Sequence, residues 1–209
     1  MDKKSKRSYS NNEYLKIANL FPKFHSSFGK NFDVFFVPLP PSDPLGNVLS
    51  GLQTIARFEP LKVTRHSFPG NYAWPYGLFM LDRCFLVSRY RLDQGQQLLV
   101  INTHNSAYDD GTLRVNQMAY LKNFLIQEYE KGNYVIVGGD WNQCPPDFIP
   151  EFKLNLMDNE DRMDIEKDYL TQWNWVYDSK IPTNRRLVAP YNQKATLTTV
   201  IDFFLVSPN

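Results

Sequence analysis

A chain of 209 residues, 43% apolar and 15% aromatic, holds side-chain volume for one sizeable core and too little for two, so residues 1–209 are expected to fold as a single domain. Its 15 Phe, 12 Tyr and 4 Trp exclude a largely disordered chain, because rings at that density collapse out of water. With 23 Lys plus Arg against 22 Asp plus Glu the formal charge is +1, which excludes a global basic field, so any nucleic acid has to be gripped locally.

In chain order, Met1-Asp2-Lys3-Lys4-Ser5-Lys6-Arg7 is charged and lacks the apolar stretch of a secretory signal; such a terminal run is expected to be solvated. Tyr14, Leu15, Ile17, Ala18 and Phe21 follow helical spacing, with Asn11 or Asn12 as cap and Pro22 as stop, which predicts a short amphipathic helix. Runs at 32–37, 52–58, 84–87, 98–102, 134–137 and 200–206 read as strands, and Pro38, Pro40, Pro41 and Pro44 mark a loop after the first of them. Leu113, Met118, Leu121, Leu125 and Tyr129 recur near three to four residues apart in the longest helix, which Gly132-Asn133 ends. The middle of the chain is therefore a strand–helix–strand unit. A right-handed crossover makes its strands parallel, and the residues after Asn102 and Val137 then share one edge of the sheet, where ligands bind.

Cys84 and Cys144 are far apart and form no CxxC pair, as suits a reduced compartment or two buried thiols, and a zinc site is not expected. The longest apolar runs, such as 34–39 and 201–206, fall far short of a bilayer. The residues given are thus expected to be soluble and cytoplasmic by default, unless sequence ahead of Met1 carries a signal or anchor.

Several side chains are candidates for chemistry. Asp140 and Asn142 follow Gly138-Gly139 at a strand exit, where alternation would point both the same way and the glycines would leave room for a substrate. A carboxylate beside a carboxamide suits phosphate chemistry, the one binding a hard cation or deprotonating water, the other holding a water or phosphate oxygen; a plain turn is the alternative. His104 stands at the neighbouring strand end and can donate to a phosphoryl oxygen. Asp202 falls inside the apolar run 200–206, either orienting a catalytic His or capped by nearby Thr hydroxyls, Arg185 or Arg186. Arg114 and Gln117 could face the His104 loop but are taken as structural, and Asp109 and Asp110 as serving the long helix's N-terminus, with metal contact as the alternative. Phe68, Tyr72, Trp74 and Tyr76 line the core or form a stacking loop, while His25 and His66 are expected on the surface or in loops.

Together, Ser50-Gly51-Leu52-Gln53-Thr54-Ile55-Ala56-Arg57, Val100-Ile101-Asn102-Thr103-His104, Val135-Ile136-Val137-Gly138-Gly139-Asp140-Trp141-Asn142 and Ile201-Asp202-Phe203-Phe204-Leu205-Val206-Ser207 resemble the endonuclease/exonuclease/phosphatase superfamily in order and approximate spacing. The resemblance implies a four-layer α/β sandwich of two packed mixed β-sheets, the deoxyribonuclease I-like fold, and hydrolysis of phosphodiesters or phosphomonoesters with Mg²⁺ or Mn²⁺. It implies that Asp140 positions and activates the attacking water and touches the metal, Asn142 holds the water or a phosphate oxygen, His104 stabilises the transition state, and Asp202 orients a second His. Members also carry an N-terminal strand with an Asn, a strand ending in Gln-Glu whose Glu binds metal, and a closing Ser-Asp-His. None of these is present, and Glu13 and Glu59 lack the strand context of that Glu. The expectation is a fragment, incomplete at its N- and C-terminal strands, with weak metal binding, marginal stability and weakened or absent activity.

The expected partner is a phosphate-ester substrate, whether nucleic acid, lipid headgroup or small phosphodiester, with no obligate protein partner and a monomeric chain. A non-catalytic protein that retains the fold and binds an anion or a partner is the alternative.

Overall fold

The computed structural model describes all residues except 39, 71–80, 108–110, 153–161 and 188. In chain order the elements are β1 (Asp2–Lys4), α1 (Glu13–Leu20), β2 (His25–Val37), β3 (Gly46–Ala56), β4 (Lys62–Ser67), β5 (Cys84–Arg91), β6 (Gln97–His104), α2 (Thr112–Glu130), β7 (Tyr134–Asp140), β8 (Asn174–Val176), β9 (Asn184–Arg185), β10 (Thr198–Thr199) and β11 (Asp202–Val206).

Local signals set the helices. The Asn12 side chain accepts the Leu15 N–H at 2.9 Å and starts α1, whose residues all stay at the surface. α2 turns Met118, Leu121 and Leu125 inward, and Gly132, at φ +80°, supplies the left-handed residue that turns the chain into β7. Near its C-terminal end Glu128 takes both guanidinium nitrogens of Arg89 on β5 at 2.8 and 2.9 Å, which ties the helix to the sheet. Arg89 foremost, with Lys131 and Asn133, holds the Glu128 carboxyl down at about 2 against the opposing effect of burial.

The strands form a six-stranded mixed sheet in the order β4-β5-β6-β7-β11-β8, in which only β6 and β7 run parallel. That parallel pair brackets α2, as the strand–helix–strand reading requires. A three-stranded antiparallel sheet, β1-β3-β2, packs on its other face through Leu52, Cys84 and Leu86, and β9 and β10 form a separate short pair. The main core lies between the large sheet and α2, where Leu99, Ile101, Val135, Val137, Phe203 and Leu205 point inward from alternate positions.

Several details depart from the sequence reading. The charged N-terminal run is not simply solvated: β1 pairs with β3, Lys3 Nζ lies over the Tyr14 and Phe28 rings, and Arg7 grips Asp2 at 2.8 and 2.6 Å. His66 is not in a loop but in β4, half-buried, where it stacks on Phe85 at 4.8 Å and burial lowers its pKa. β4 itself escapes a hydrophobicity pattern because Lys62, Arg65 and His66 mark it as polar, and it is recruited as an edge strand by pairing with β5. Phe68 is in the core, whereas Tyr72, Trp74 and Tyr76, like Asp109 and Asp110, lie outside the described residues. Cys84 and Cys144 are buried free thiols. Among the described residues no helix is long and apolar enough to cross a membrane.

Candidate active site

Strand register builds the site. In the parallel pair His104 lies opposite Asp140, and in the antiparallel pair Asp202 lies opposite Asp140. Directly paired residues share a face, so the three side chains form one row across β6, β7 and β11. Their odd-numbered neighbours fill the α2 core, and the row therefore points to the opposite face. Asn102, two residues before His104, donates to the Gln53 carbonyl of β3 at 3.0 Å on that side. His104 Nε2 is 3.4 Å from Asp140 Oδ2.

The strand exits are laced together. Asn105 N–H donates to the Asp140 carbonyl at 3.0 Å, and Asn142 Nδ2 donates to the Asn105 carbonyl at 2.8 Å. β7 stops at Asp140, so the expected alternation does not carry Asn142 to the same side. Instead Asn142 takes a left-handed φ of +51° and turns its N–H back to Asp140 Oδ1 at 2.9 Å. Trp141, fully buried, anchors this turn: its backbone N–H donates to the Ile201 carbonyl and its indole N–H to the Phe203 carbonyl at 3.1 Å. The glycines before it serve packing rather than substrate space. A Cβ on Gly138 would lie 2.4 Å from the Phe204 ring, and one on Gly139, at φ +143°, would lie 2.1 Å from the Thr103 carbonyl.

Asp202 also differs from expectation. It opens β11 instead of interrupting a strand, and its side chain is accessible. Its backbone N–H donates to Thr183 Oγ1 at 3.0 Å. Desolvation raises its pKa, opposed by Thr183. Asp140 is pushed up to about 6, first by burial and then by the Asp202 carboxylate. His104 is pushed down to about 3, mostly by burial, with Arg83, the amino terminus and Arg7 adding positive charge. At neutral pH the row is thus a neutral imidazole beside a carboxylate, and the 3.4 Å contact is not an ion pair.

Arg114 and Gln117 face the His104 loop as the sequence allowed, but they are buried rather than solvated. Arg114 Nε donates to the Ser106 carbonyl at 3.0 Å, and Gln117 accepts the Ser106 N–H at 2.9 Å, which pins the loop after β6 to α2. A cleft of about 670 Å³ opens beside the row, bounded by Asp140, Asn142, Arg114, Arg162, Arg185 and Arg186. Arg162 and Thr183 carried no motif that could mark them, since each reaches the site only through tertiary folding.

Chemically, this is an oxygen-rich anionic pair with a neutral imidazole donor, facing a cationic wall. Among the described residues no group of three or more His, Cys, Asp or Glu side chains is arranged to hold a metal ion. Two facing carboxylates, Asp140 and Asp202, fit a hard cation such as Mg²⁺, which keeps most of its waters and is commonly held by one or two carboxylates plus substrate oxygens.

Neither a protein-family model nor a curated protein matches the sequence. Solved structures do match its architecture. An endonuclease/exonuclease/phosphatase from Beutenbergia cavernae superposes with a TM-score of 0.59 at 14% identity, over 95% of this chain. The chain has the endonuclease/exonuclease/phosphatase fold. ANGEL2, described as a 2′,3′-cyclic phosphatase, shares that fold at a TM-score of 0.54 and 14% identity, over 99% of this chain and 68% of ANGEL2. The human Nocturnin catalytic domain with bound sulfate anion matches at 0.50 and 14% identity, over 95% of this chain. The chain spans 51% of the Beutenbergia protein and 65% of the Nocturnin domain, so it presents about half to two thirds of such structures.

Proposed function

We propose that the chain is, or is part of, a divalent-metal-dependent phosphoesterase that hydrolyses phosphodiester or phosphomonoester bonds. The observation that carries the proposal is the His104–Asp140–Asp202 row, set by register on three adjacent strands, with its central Asp140 lining an arginine-walled cleft. Asp140 and Asp202, cross-strand partners, would hold a Mg²⁺ or Mn²⁺, which would supply positive charge to the phosphoryl oxygens. Asp140 orients the attacking water and accepts its proton. His104, neutral at working pH, donates a hydrogen bond to a phosphoryl oxygen as charge builds there. Asn142 fixes the Asp140 carboxylate through its N–H and has one Nδ2 hydrogen left after bonding Asn105, enough for a water or a phosphate oxygen. Asp202 faces Asp140 across the paired strands, where it would share the cation with it.

Neighbours of this fold described as an endonuclease/exonuclease/phosphatase and a 2′,3′-cyclic phosphatase support the general kind of reaction. The bound sulfate in the Nocturnin domain supports an anionic ligand. Substrates in scope are nucleic acids, lipid headgroups and small phosphodiesters. The test is hydrolysis of a chromogenic phosphodiester and the matching monoester by the folded chain, in Mg²⁺, in Mn²⁺ and in EDTA. Turnover that EDTA abolishes is expected, and turnover insensitive to EDTA contradicts the metal role. The arginines bounding the cleft favour a second reading, an anion-binding protein without catalysis, which predicts phosphate binding with no turnover in any metal.

A further inference from the structure

We propose that Arg185 binds a second, non-scissile phosphoryl group, so that the cleft is built for a phosphate ester carrying two phosphoryl groups rather than one. The proposal rests on the phosphoesterase reading for the first group and adds the second. The cleft, at about 670 Å³, is the size of a site for a whole small molecule, and both Asp140 and Arg185 line it. Its arginines are not equivalent. Arg114 is committed to the Ser106 and Ala107 carbonyls at 3.0 and 2.7 Å, and Arg162 to the Asp164 carboxylate and the Phe148 carbonyl. Arg185 differs: its Nη1 is shielded from water and has no hydrogen-bond acceptor among the described residues. A donor left in that state is unfavourable, and the planar guanidinium fork matches the oxygens of a phosphoryl group better than any other side chain.

Its position is also fixed. Arg185 is in register with Thr198 in the β9–β10 pair, and its guanidinium lies over the Tyr191 ring with Cζ 5.8 Å from the ring centre. Backbone pairing and the aromatic shelf hold the charge against the cleft without neutralising it, as a recognition residue requires.

Calorimetric titration with inorganic pyrophosphate and with orthophosphate, in Mg²⁺, tests this by binding, without any need for turnover. The wild-type chain is expected to prefer pyrophosphate by about tenfold, the effect of one charge-assisted contact. Arg185→Gln is expected to remove that preference while leaving orthophosphate affinity within about twofold, and Arg185→Lys to keep part of it. Absence of a pyrophosphate preference in the wild type, an unchanged preference in Arg185→Gln, or equal loss of both ligands in that variant each overturn the proposal. Should Arg185→Gln fail to fold by circular dichroism, Arg185→Lys decides: an undiminished preference for pyrophosphate counts against the phosphate fork. Pyrophosphate preference without hydrolysis would break the phosphoesterase reading alone, and hydrolysis without the preference would break this one alone.

Discussion

The two faces of the six-stranded sheet have opposite designs. Beneath α2, side chains from β5, β6, β7 and β11 close a continuous core in which Leu99, Leu121, Leu125, Val135, Val137 and Leu205 are fully buried. On the other face the small sheet covers β5 through Leu52, Cys84 and Leu86, while on β11 Phe204 remains 53% exposed. His104, Asp140 and Asp202 fall on this second face. Alternation makes the division: one strand sends odd residues into a packed interior and even residues into a half-open space, so one register sets stability on one side and chemistry on the other. His104, Asp140 and Asp202 sit where the packing stops, and the displaced pKa values of His104 and Asp140 record that partial desolvation.

That contrast is breakable by substitution. The largest effect belongs to the closed face: Leu125→Ala is expected to destabilise the fold by about 2–5 kcal/mol in urea unfolding, with activity per folded molecule unchanged. Glu128→Gln comes next. Because the folded pKa, about 2, lies below the ordinary 4.5, the stabilisation is full above pH 4.5 and fades as pH falls towards 2. The variant should therefore lose roughly 2 kcal/mol at pH 7, allowing for solvent around the exposed Lys131 arm, and almost nothing at pH 2. Unfolding curves at the two pH values check it, and an equal loss at both would assign the effect to packing. Gly138→Ala on the open face should be mildest, about 1 kcal/mol, because the Phe204 ring it meets is free to swing into solvent. Pairing it with Phe204→Ala should restore most of that loss, and persistence of the loss in the double variant would mean that this face is packed after all.

Much of this was legible in the residues. The crossover from β6 through α2 to β7, the Asn12 cap and the meeting of His104 with Asp140 follow from periodicity, punctuation and handedness, which are local or nearly so. The row's third member did not follow. That Asp202 faces Asp140 depends on β11 pairing antiparallel with β7 across some sixty residues of chain, and no spacing encodes that register. Gly138 and Gly139 look like substrate room in a string, whereas Phe204 and the Thr103 carbonyl claim the space in the fold. Arg114 looks like a helix-surface residue until the loop after β6 lays two carbonyls across its guanidinium. The polar strand β4 was hidden because its place comes from pairing and not from an apolar pattern.

The central claim is that the open-face row is an active centre and not a structural relic, and Asp140→Asn tests it most directly. The amide keeps an oxygen for the Asn142 N–H and removes a carboxylate that burial and Asp202 both disfavour, so the variant should melt no lower than the wild type at pH 7.5. Turnover of a chromogenic phosphodiester in Mn²⁺, measured beside that melting curve, is predicted to fall by at least about 100-fold. Turnover within a few-fold of the wild type, from an equally stable variant, would contradict the account.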